Sequence, residues 1–305
     1  MIQLINSLPG ALSLGLIWGI MAIGVYITYK ILAISDLTVD GSFATGAAVC
    51  TMMITAGVNP WIAMLCAVLS GGLCGLVTGF LHTVLDIPAI LSGILTQLAL
   101  WSINLEIMDG AANTVLPSRK FPVILKQADK TGAIVMLVII AVAIIAFLYW
   151  FFGTELGCSI RATGCNINMS RAQGINTNFN KVIGLIISNG LVALSGALLA
   201  QYQGFADIGM GTGAIVVGLA AIVIGEVVFS KIARNFAVRL CGVLFGGILY
   251  YVIYQVIVFI GLDTNYLKML SAIVVAIFLG TPNIKNKLLA RFHSKKLSKE
   301  VKKDA

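Results

Sequence analysis

The chain has 305 residues, of which 59% are hydrophobic and only 10% charged, and its mean hydropathy is +1.00. Soluble domains carry about 25% charged residues, so this composition excludes a water-exposed globular protein and indicates a polytopic membrane protein. The net charge of +8 would suggest nucleic-acid binding in a soluble protein, but eight of the twenty Lys and Arg follow residue 284. Such clustering marks the orientation of a membrane protein, and no nucleic-acid partner is expected.

Apolar windows long enough to cross ~30 Å of hydrocarbon predict an all-α fold with about nine transmembrane helices, within a range of eight to ten. A tenth crossing would need a re-entrant piece within 110–130. The windows form a single transmembrane domain over 1–284. In chain order they lie near 9–33, 38–57, 60–85, 88–108, 131–153, 180–203, 212–230, 237–260 and 265–281. Small residues every three or four positions, at 71–79 and 242–247, predict close contact between helix backbones.

The basic residues predict which side of the bilayer each loop faces. The tail 285–305 is strongly cationic and is therefore expected in the cytoplasm. Counting spans back from it places the segments 154–180 and 230–239 on the same side. The segment 109–130 then falls outside, although it also carries basic residues.

The segment 154–180 is the largest predicted cytoplasmic loop between spans. Its stretch CNINMSRAQGI is typical of a short helix, with Asn166 as the N-cap and Gly174 at the C-terminal stop. A plain connector is one interpretation, but connectors usually need only a few residues. The length, the helical pattern and the flanking small residues favour a segment that docks into a groove of another protein.

The residues of this loop also resemble a known family. The pattern consists of Ile160, Arg161, Ala162, Gly164, Asn166, Ala172, Gly174, Ile175 and Asn176. It is similar to the coupling loop of ABC importer permeases of the branched-chain amino acid and ribose type. Stretches at 36–48, 93–108, 188–211 and 215–226 resemble a subgroup linked to aromatic or hydrophobic amino acid uptake.

The resemblance implies a transmembrane subunit that forms the translocation path of an ATP-driven importer in the bacterial cytoplasmic membrane. Its partners would be a second permease copy, a pair of cytoplasmic ATP-binding subunits and an extracellular substrate-binding lipoprotein. A homodimer is expected, with a heterodimer of two permeases left open. The residues implied in coupling to the ATPase are Arg161, Ala162, Gly164, Asn166, Arg171, Ala172, Gly174 and Ile175.

Independently of the resemblance, the two halves of the chain share a construction: a helix, a break with an acid and glycines, then a helix rich in small residues. The breaks are SDLTVDG and FADIGMGTG. Inverted halves with broken helices are a plan of transporters that places the path between the halves. The candidate path residues are Asp36, Asp40, Phe43, Asn104, Asp207 and Met210. The three acids could instead cap helix N-termini, and Glu226 is expected to be an interfacial residue or an inter-helix partner, with a loop arginine as one candidate.

The chain contains no G-x-x-x-x-G-K-[ST], H-E-x-x-H or C-x-x-C motif. We therefore expect it not to be an enzyme and to hold no cofactor or metal, with ATP and Mg bound by the partner subunit. Two alternatives remain open from the sequence. One is a secondary transporter with Asp36, Asp40 or Asp207 as its ion-coupling site, and the other is an ABC permease for a different small solute such as a sugar or nucleoside.

Overall fold

The structure, a computed structural model, describes residues 2–117, 120–229, 235–259 and 269. Within these residues the chain is almost entirely helical, and a π-helical turn, Ile27–Ile31, extends the first helix. The elements in order are α1 (Ile2–Tyr26), α2 (Thr38–Thr55), α3 (Pro60–Thr83), α4 (Ala89–Ile107), β1 (Asn113–Val115), α5 (Lys130–Phe151), α6 (Glu155–Cys165), α7 (Ile167–Ala172), α8 (Thr177–Gln203), β2 (Phe205–Asp207), α9 (Ala214–Phe229) and α10 (Phe236–Phe259).

Several of these helices begin where a side chain accepts a hydrogen bond from the first turn. The Asn59 side chain accepts from the amide of Trp61 at the start of α3, where Pro60 occupies the first helical position. Asp129 accepts from Gly132 at the start of α5, and Asn176 accepts from Phe179 at the start of α8. Asn and Asp are favoured at the N-cap of a helix and Pro at its first position, so local sequence sets these helix starts.

Six helices of the described residues are long and apolar enough to cross a membrane: the extended α1, α3, α4, α5, α8 and α10. The all-α membrane fold is thus confirmed, but a count of about nine spans is not. Helix α9, at 16 residues, is shorter than a full span. Helix α2 has 18 residues, but Asp40 and its hydroxyl-bearing side chains, such as Thr38 and Ser42, make it less apolar than these six. The predicted span at 265–281 and the tail 285–305 lie outside the described residues.

Glycines let the helix backbones touch, as the small-residue spacing predicts. A Cβ on Gly71 of α3 would lie 2.4 Å from the carbonyl oxygen of Asn189 in α8, and one on Gly75 would lie 2.3 Å from that of Leu185. On α10, a Cβ on Gly246 would lie 2.0 Å from the carbonyl oxygen of Ala221 in α9. Any larger side chain would therefore separate these helix pairs.

The chain is interrupted in both halves, between the π-helical turn and α2 and between α8 and α9. Helix α1 packs on α8 and α10, while α8 packs on α1 and α3. Helix α1 runs antiparallel to α8, because Ser195 of α8 donates to the Ile17 carbonyl and Ser188 donates to the Gly24 carbonyl, each at 2.7 Å. Helices α1 and α8 therefore pack on each other in opposite directions, and each also packs on one further membrane-length helix, α10 or α3.

The segment that could have held a tenth span forms a small sheet and turns. Strand β1 pairs antiparallel with β2, and Asn113 lies opposite Asp207. Beyond the strand, Leu125 is completely buried and the amide of Ile124 donates to the Gln201 side chain at 3.0 Å. Apart from residues 118 and 119, which the structure does not describe, the segment 111–129 contains no helix.

Candidate functional site

The predicted docking loop consists of two helices, α6 and α7, rather than one. Asn166 lies between them with an extended backbone that ends α6, and its side chain accepts from the amide of Met169 at 3.0 Å. Gly174 has a left-handed φ of +79°, and the amide of Ile175 donates to the Ser170 carbonyl at 3.0 Å. The N-cap and the stop glycine are confirmed, while α6 is a finding that the pattern did not predict.

Helix α6 lies tightly on the body of the protein. A Cβ on Gly164 would lie only 1.7 Å from the carbonyl oxygen of Ile31 in the π-helical turn. On the same helix, Thr163 is buried and accepts from the Asn180 side chain of α8 at 2.9 Å. Because α6 contacts both the π-helical turn that extends α1 and helix α8, a force on this loop would reach the helices that flank the two breaks.

The predicted coupling residues divide into two groups. Gly164 and half-buried Ala162 and Ile175 take part in packing within the subunit, whereas Arg161, Asn166, Arg171, Ala172 and Gly174 are exposed. The Arg161 guanidinium donates to the Phe152 carbonyl at 2.9 Å, and the Arg171 side chain donates to the Thr177 hydroxyl at 3.1 Å. Both arginines therefore hold the loop in shape as well as facing outward.

Sequence reasoning missed the apolar part of this surface. Ile167 and Met169 of α7 are 37% and 58% exposed, and Phe179 at the start of α8 is 53% exposed. Such side chains on a polar loop are a signal for protein contact, and their position within the loop 154–180 could have shown it. We name Ile167, Met169 and Phe179 the apolar loop surface.

The break before α2 is organised by Asp36. This carboxylate is 2% exposed, and it accepts from the Thr38 amide at 2.9 Å and from the Asn189 side chain at 2.7 Å. The Ser42 hydroxyl donates to the carbonyl oxygen of the Asn189 side chain. The acid thus satisfies an amide at the start of α2 and joins the break to the middle of α8.

Hydroxyl groups extend this polar cluster to two more helices. The Thr38 hydroxyl lies 2.7 Å from that of Thr78 in α3, which donates to the Thr96 hydroxyl of α4 at 3.0 Å. All three side chains are at most 3% exposed. A chain of buried hydrogen bonds therefore connects α2, α3 and α4, and such networks specify one arrangement when every member is satisfied.

Asp40 serves the second break from across the molecule. Its carboxylate oxygens accept from the amides of Gly213 at 2.8 Å and Ile215 at 3.0 Å, at the start of α9. A Cβ on Gly211 would lie 1.9 Å from the Asp40 carbonyl oxygen. The start of α2 therefore contacts the start of α9, and the negative carboxylate lies where the helix macrodipole favours it.

The remaining path candidates lie in different surroundings. Phe43 is fully buried and stacks on Trp18, with ring centroids 5.0 Å apart. Asn104 is 1% exposed, and its side-chain oxygen has no hydrogen-bond partner within the described residues. Asp207 is half-buried and accepts from the Gly209 amide at 2.8 Å, and Met210 is half-buried in the turn before α9.

All three acids accept backbone amide hydrogens. Those held by Asp36 and Asp40 lie at the starts of α2 and α9, as the capping interpretation predicts, whereas Asp207 holds the Gly209 amide of the turn before α9. Asp40 joins the two breaks, next to the turn that contains Met210. Glu226 is an inter-helix partner, as expected, and the residue that it pairs with is Lys30 at 2.9 Å and not a loop arginine. Lys30 reaches it from the π-helical turn, a contact across 196 positions that no local pattern predicts.

Broken helices that meet inside a bundle of membrane-length helices, with a two-helix loop packed against them, define a multi-pass membrane permease. The chain belongs to the family described as branched-chain amino acid transport system, permease component, whose family model matches residues 7–279. It is therefore a permease of the ABC transport systems, as the resemblance of its loop predicts.

Two known relatives match the chain over nearly its whole length, and a third matches part of it. It is 39% identical over 279 residues to the tyrosine transport system permease protein of Clostridioides difficile, covering 92% of each chain. It is 37% identical to the uncharacterized protein RP368 of Rickettsia prowazekii, covering 90% of this chain and 98% of that protein. The autoinducer 2 import system permease protein LsrC of Photorhabdus luminescens is 28% identical over 63% of this chain and 57% of its own length.

Among solved structures, the fold is similar to that of PsaBC from Streptococcus pneumoniae in complex with Fab. The TM-score is 0.52, and the match covers 91% of this chain and 94% of that chain at 17% sequence identity. This likeness concerns the fold alone.

Proposed function

We propose that this chain is the transmembrane subunit of an ATP-driven importer of a hydrophobic or aromatic amino acid. One observation carries the substrate class: the full-length similarity to a tyrosine transport system permease, at 39% identity. The LsrC relatives cover less of the chain at lower identity. Membership of an ABC permease family leaves the ion-coupled secondary transporter without support.

The geometry of the loop supports its role in coupling. The apolar loop surface and the exposed Arg161 and Arg171 of the same loop offer a docking face for a cytoplasmic ATP-binding subunit. ATP-driven closure of two such subunits would press the loops together. Because α6 contacts Ile31 through Gly164, the movement would pass to α1 and to the break that follows it, and the path would change its opening by a rigid-body tilt of helices.

Two further partners belong to this proposal. A pair of identical ATP-binding subunits needs two identical docking loops, and a two-fold homodimer of the permease supplies them. A substrate-binding lipoprotein would deliver the amino acid from outside. The permease would lie in the bacterial cytoplasmic membrane with its tail inside, ATP and Mg would be bound by the partner subunit, and the domain limits would be 1–284 and 285–305.

The substrate path belongs at the meeting point of the two breaks. The similar packing of α1 and α8, in opposite directions, supports two inverted halves, which place a transporter's path between them. Asp40 and Met210 are the half-buried members of this region. They would offer a carboxylate to the substrate ammonium group and a polarizable apolar side chain to its ring, with Asp36, Phe43, Asn104 and Asp207 forming the wall behind and around them.

Reconstitution of the complete transporter tests the substrate class. Proteoliposomes with the permease, its ATP-binding subunit and its binding protein are offered labelled tyrosine, phenylalanine and ribose with ATP. We expect ATP-dependent uptake of the amino acids, with unlabelled phenylalanine competing against tyrosine and ribose without effect. Transport of ribose without uptake of either amino acid would contradict the proposed substrate.

A further inference from the structure

A half-open pocket of about 430 Å³ lies where α1, α6 and α10 meet. Gly164, which lines the pocket, lies directly against Ile31 of the π-helical turn. Its size falls in the range of small-molecule sites, roughly 300–1,000 Å³. Its lining residues are Tyr26, Lys30, Ile31, Arg161, Gly164, Cys165, Phe236 and Arg239. We name it the cationic pocket.

The charge of the pocket is strongly one-sided. Lys30, Arg161 and Arg239 line it, each from a different helix or turn, and no acid is among the lining residues that the structure describes. The nearest acid with a described contact is Glu226, which pairs with Lys30 at 2.9 Å. Both side chains of that pair are more than 40% exposed, and exposed pairs of this kind are weak. Three converging cations against one peripheral acid therefore leave an excess of positive charge.

The donors of the pocket are held in place by the fold. Arg161 donates to the Phe152 carbonyl at 2.9 Å, and its guanidinium carbon lies 5.9 Å from the ring centroid of Phe236. Arg239 hydrogen bonds with the hydroxyl of Tyr26. A guanidinium has five N–H donors, so these contacts orient Arg161 and leave it further donors for a ligand, while Arg239 adds its positive charge.

The position of the pocket points to the surface of the bilayer. Its Tyr26 and Lys30 belong to the last two turns of the extended α1, whose apolar span ends at Ile31. Tyr, Lys and Arg concentrate at this level of membrane proteins. Basic pockets between helices on the cytoplasmic side bind phosphate-bearing lipid headgroups, and guanidinium groups match phosphate oxygens in geometry.

We propose that the cationic pocket binds the phosphate group of an anionic lipid of the cytoplasmic leaflet, held by Lys30, Arg161 and Arg239. The leaflet follows from the proposed orientation, whereas the phosphate site itself depends only on the pocket. A bound headgroup bridges α1, α6 and α10 and neutralises their mutual repulsion. The lipid thereby fixes the position of α6, the first helix of the docking loop.

Thermal unfolding of the full-length permease in an uncharged detergent tests the site. The probes are short-chain phosphatidylglycerol, phosphatidylcholine of the same chain length, and inorganic phosphate. The variants are Lys30→Gln and Arg239→Gln, with Lys126→Gln, an exposed residue between α4 and α5, as the control that removes the same charge elsewhere. Glu226→Gln removes the acid that competes for Lys30.

We expect phosphatidylglycerol to raise the unfolding temperature of the wild type more than the other two probes do. Each basic substitution should weaken the apparent affinity for it about fivefold, from the usual contribution of one cation at an anionic surface. Glu226→Gln should strengthen it by a similar factor, and Lys126→Gln should leave it unchanged.

The other outcomes are distinct. Equal protection by inorganic phosphate would keep the phosphate site but assign it to a free anion, and so overturn the lipid as the ligand. Equal protection by phosphatidylcholine, or the same phosphatidylglycerol effect in Lys30→Gln and Arg239→Gln as in the wild type, would overturn the site. A variant that does not fold is replaced by its Arg or Lys counterpart (Lys30→Arg, Arg239→Lys), which must retain most of the wild-type affinity.

Discussion

Gly164→Ala tests how the docking loop transmits force, because this glycine is where α6 contacts the π-helical turn that extends α1. The added Cβ would lie 1.7 Å from the Ile31 carbonyl oxygen, whereas ordinary contacts begin at 3.4 Å. Helix α6 must therefore move away from the π-helical turn by the difference, about 1.7 Å. Overpacking of this kind costs ~1–3 kcal/mol, which corresponds to about a 5- to 150-fold change in a coupling equilibrium.

The assay is tyrosine uptake per ATP hydrolysed by the reconstituted complex. We expect uptake to fall by a factor in that range while basal ATP hydrolysis persists, since the change affects transmission and not the ATP site. Gly72→Ala in α3 is the matched control, because its Cβ would lie 3.4 Å from the nearest side-chain atom, that of Ile186. Both substitutions raise helix propensity alike. Equal uptake by the two variants would refute the transmission argument.

Further predictions concern Asp40, the apolar loop surface and the orientation of the chain in the membrane. Asp40→Ala removes the acceptor for two amides of α9 and should cost ~0.5–2 kcal/mol of stability, measured by thermal unfolding. Asp40→Asn retains a capping oxygen, so uptake should fall only slightly if Asp40 is a cap alone and sharply if it also contacts substrate. Ile167→Asp with Met169→Asp should abolish co-purification with the ATP-binding subunit at unchanged membrane insertion, and retained co-purification would remove α7 from the docking face. Cysteines placed in 161–171 should react with a label applied from the cytoplasmic side, and those in 112–128 should not; the reverse pattern would invert the proposed orientation.

Local signals in the sequence predicted the parts of the fold that depend on neighbouring residues. Asn166 and Gly174 were correct as helix boundaries because a cap and a left-handed stop are decided within a few positions. The glycine spacing of 71–79 predicted close packing for the same reason. Helix α6 was missed because its N-cap, Thr154, comes directly after the apolar span of α5, where a loop was expected. The Thr154 side chain accepts from the Gly157 amide.

Contacts across the chain could not be read from local patterns. Asp40 caps a helix that begins more than 170 positions later, and its role depends on the two breaks meeting in space. The same holds for Gly164, whose importance comes from the Ile31 carbonyl beside it. The predicted count of about nine spans is not confirmed for a related reason, since α2 and α9 are shorter or more polar than full spans and become stable through their contacts with α8 and α10.

The driving force of transport tests the central proposal most directly. Tyrosine uptake is measured in proteoliposomes of the complete transporter, with ATP supplied on the side of the ATP-binding subunit and all ion gradients collapsed by ionophores. The proposal predicts uptake that requires hydrolysable ATP and is unaffected by the ionophores. Uptake that proceeds without ATP and disappears when the ion gradient is collapsed would contradict it.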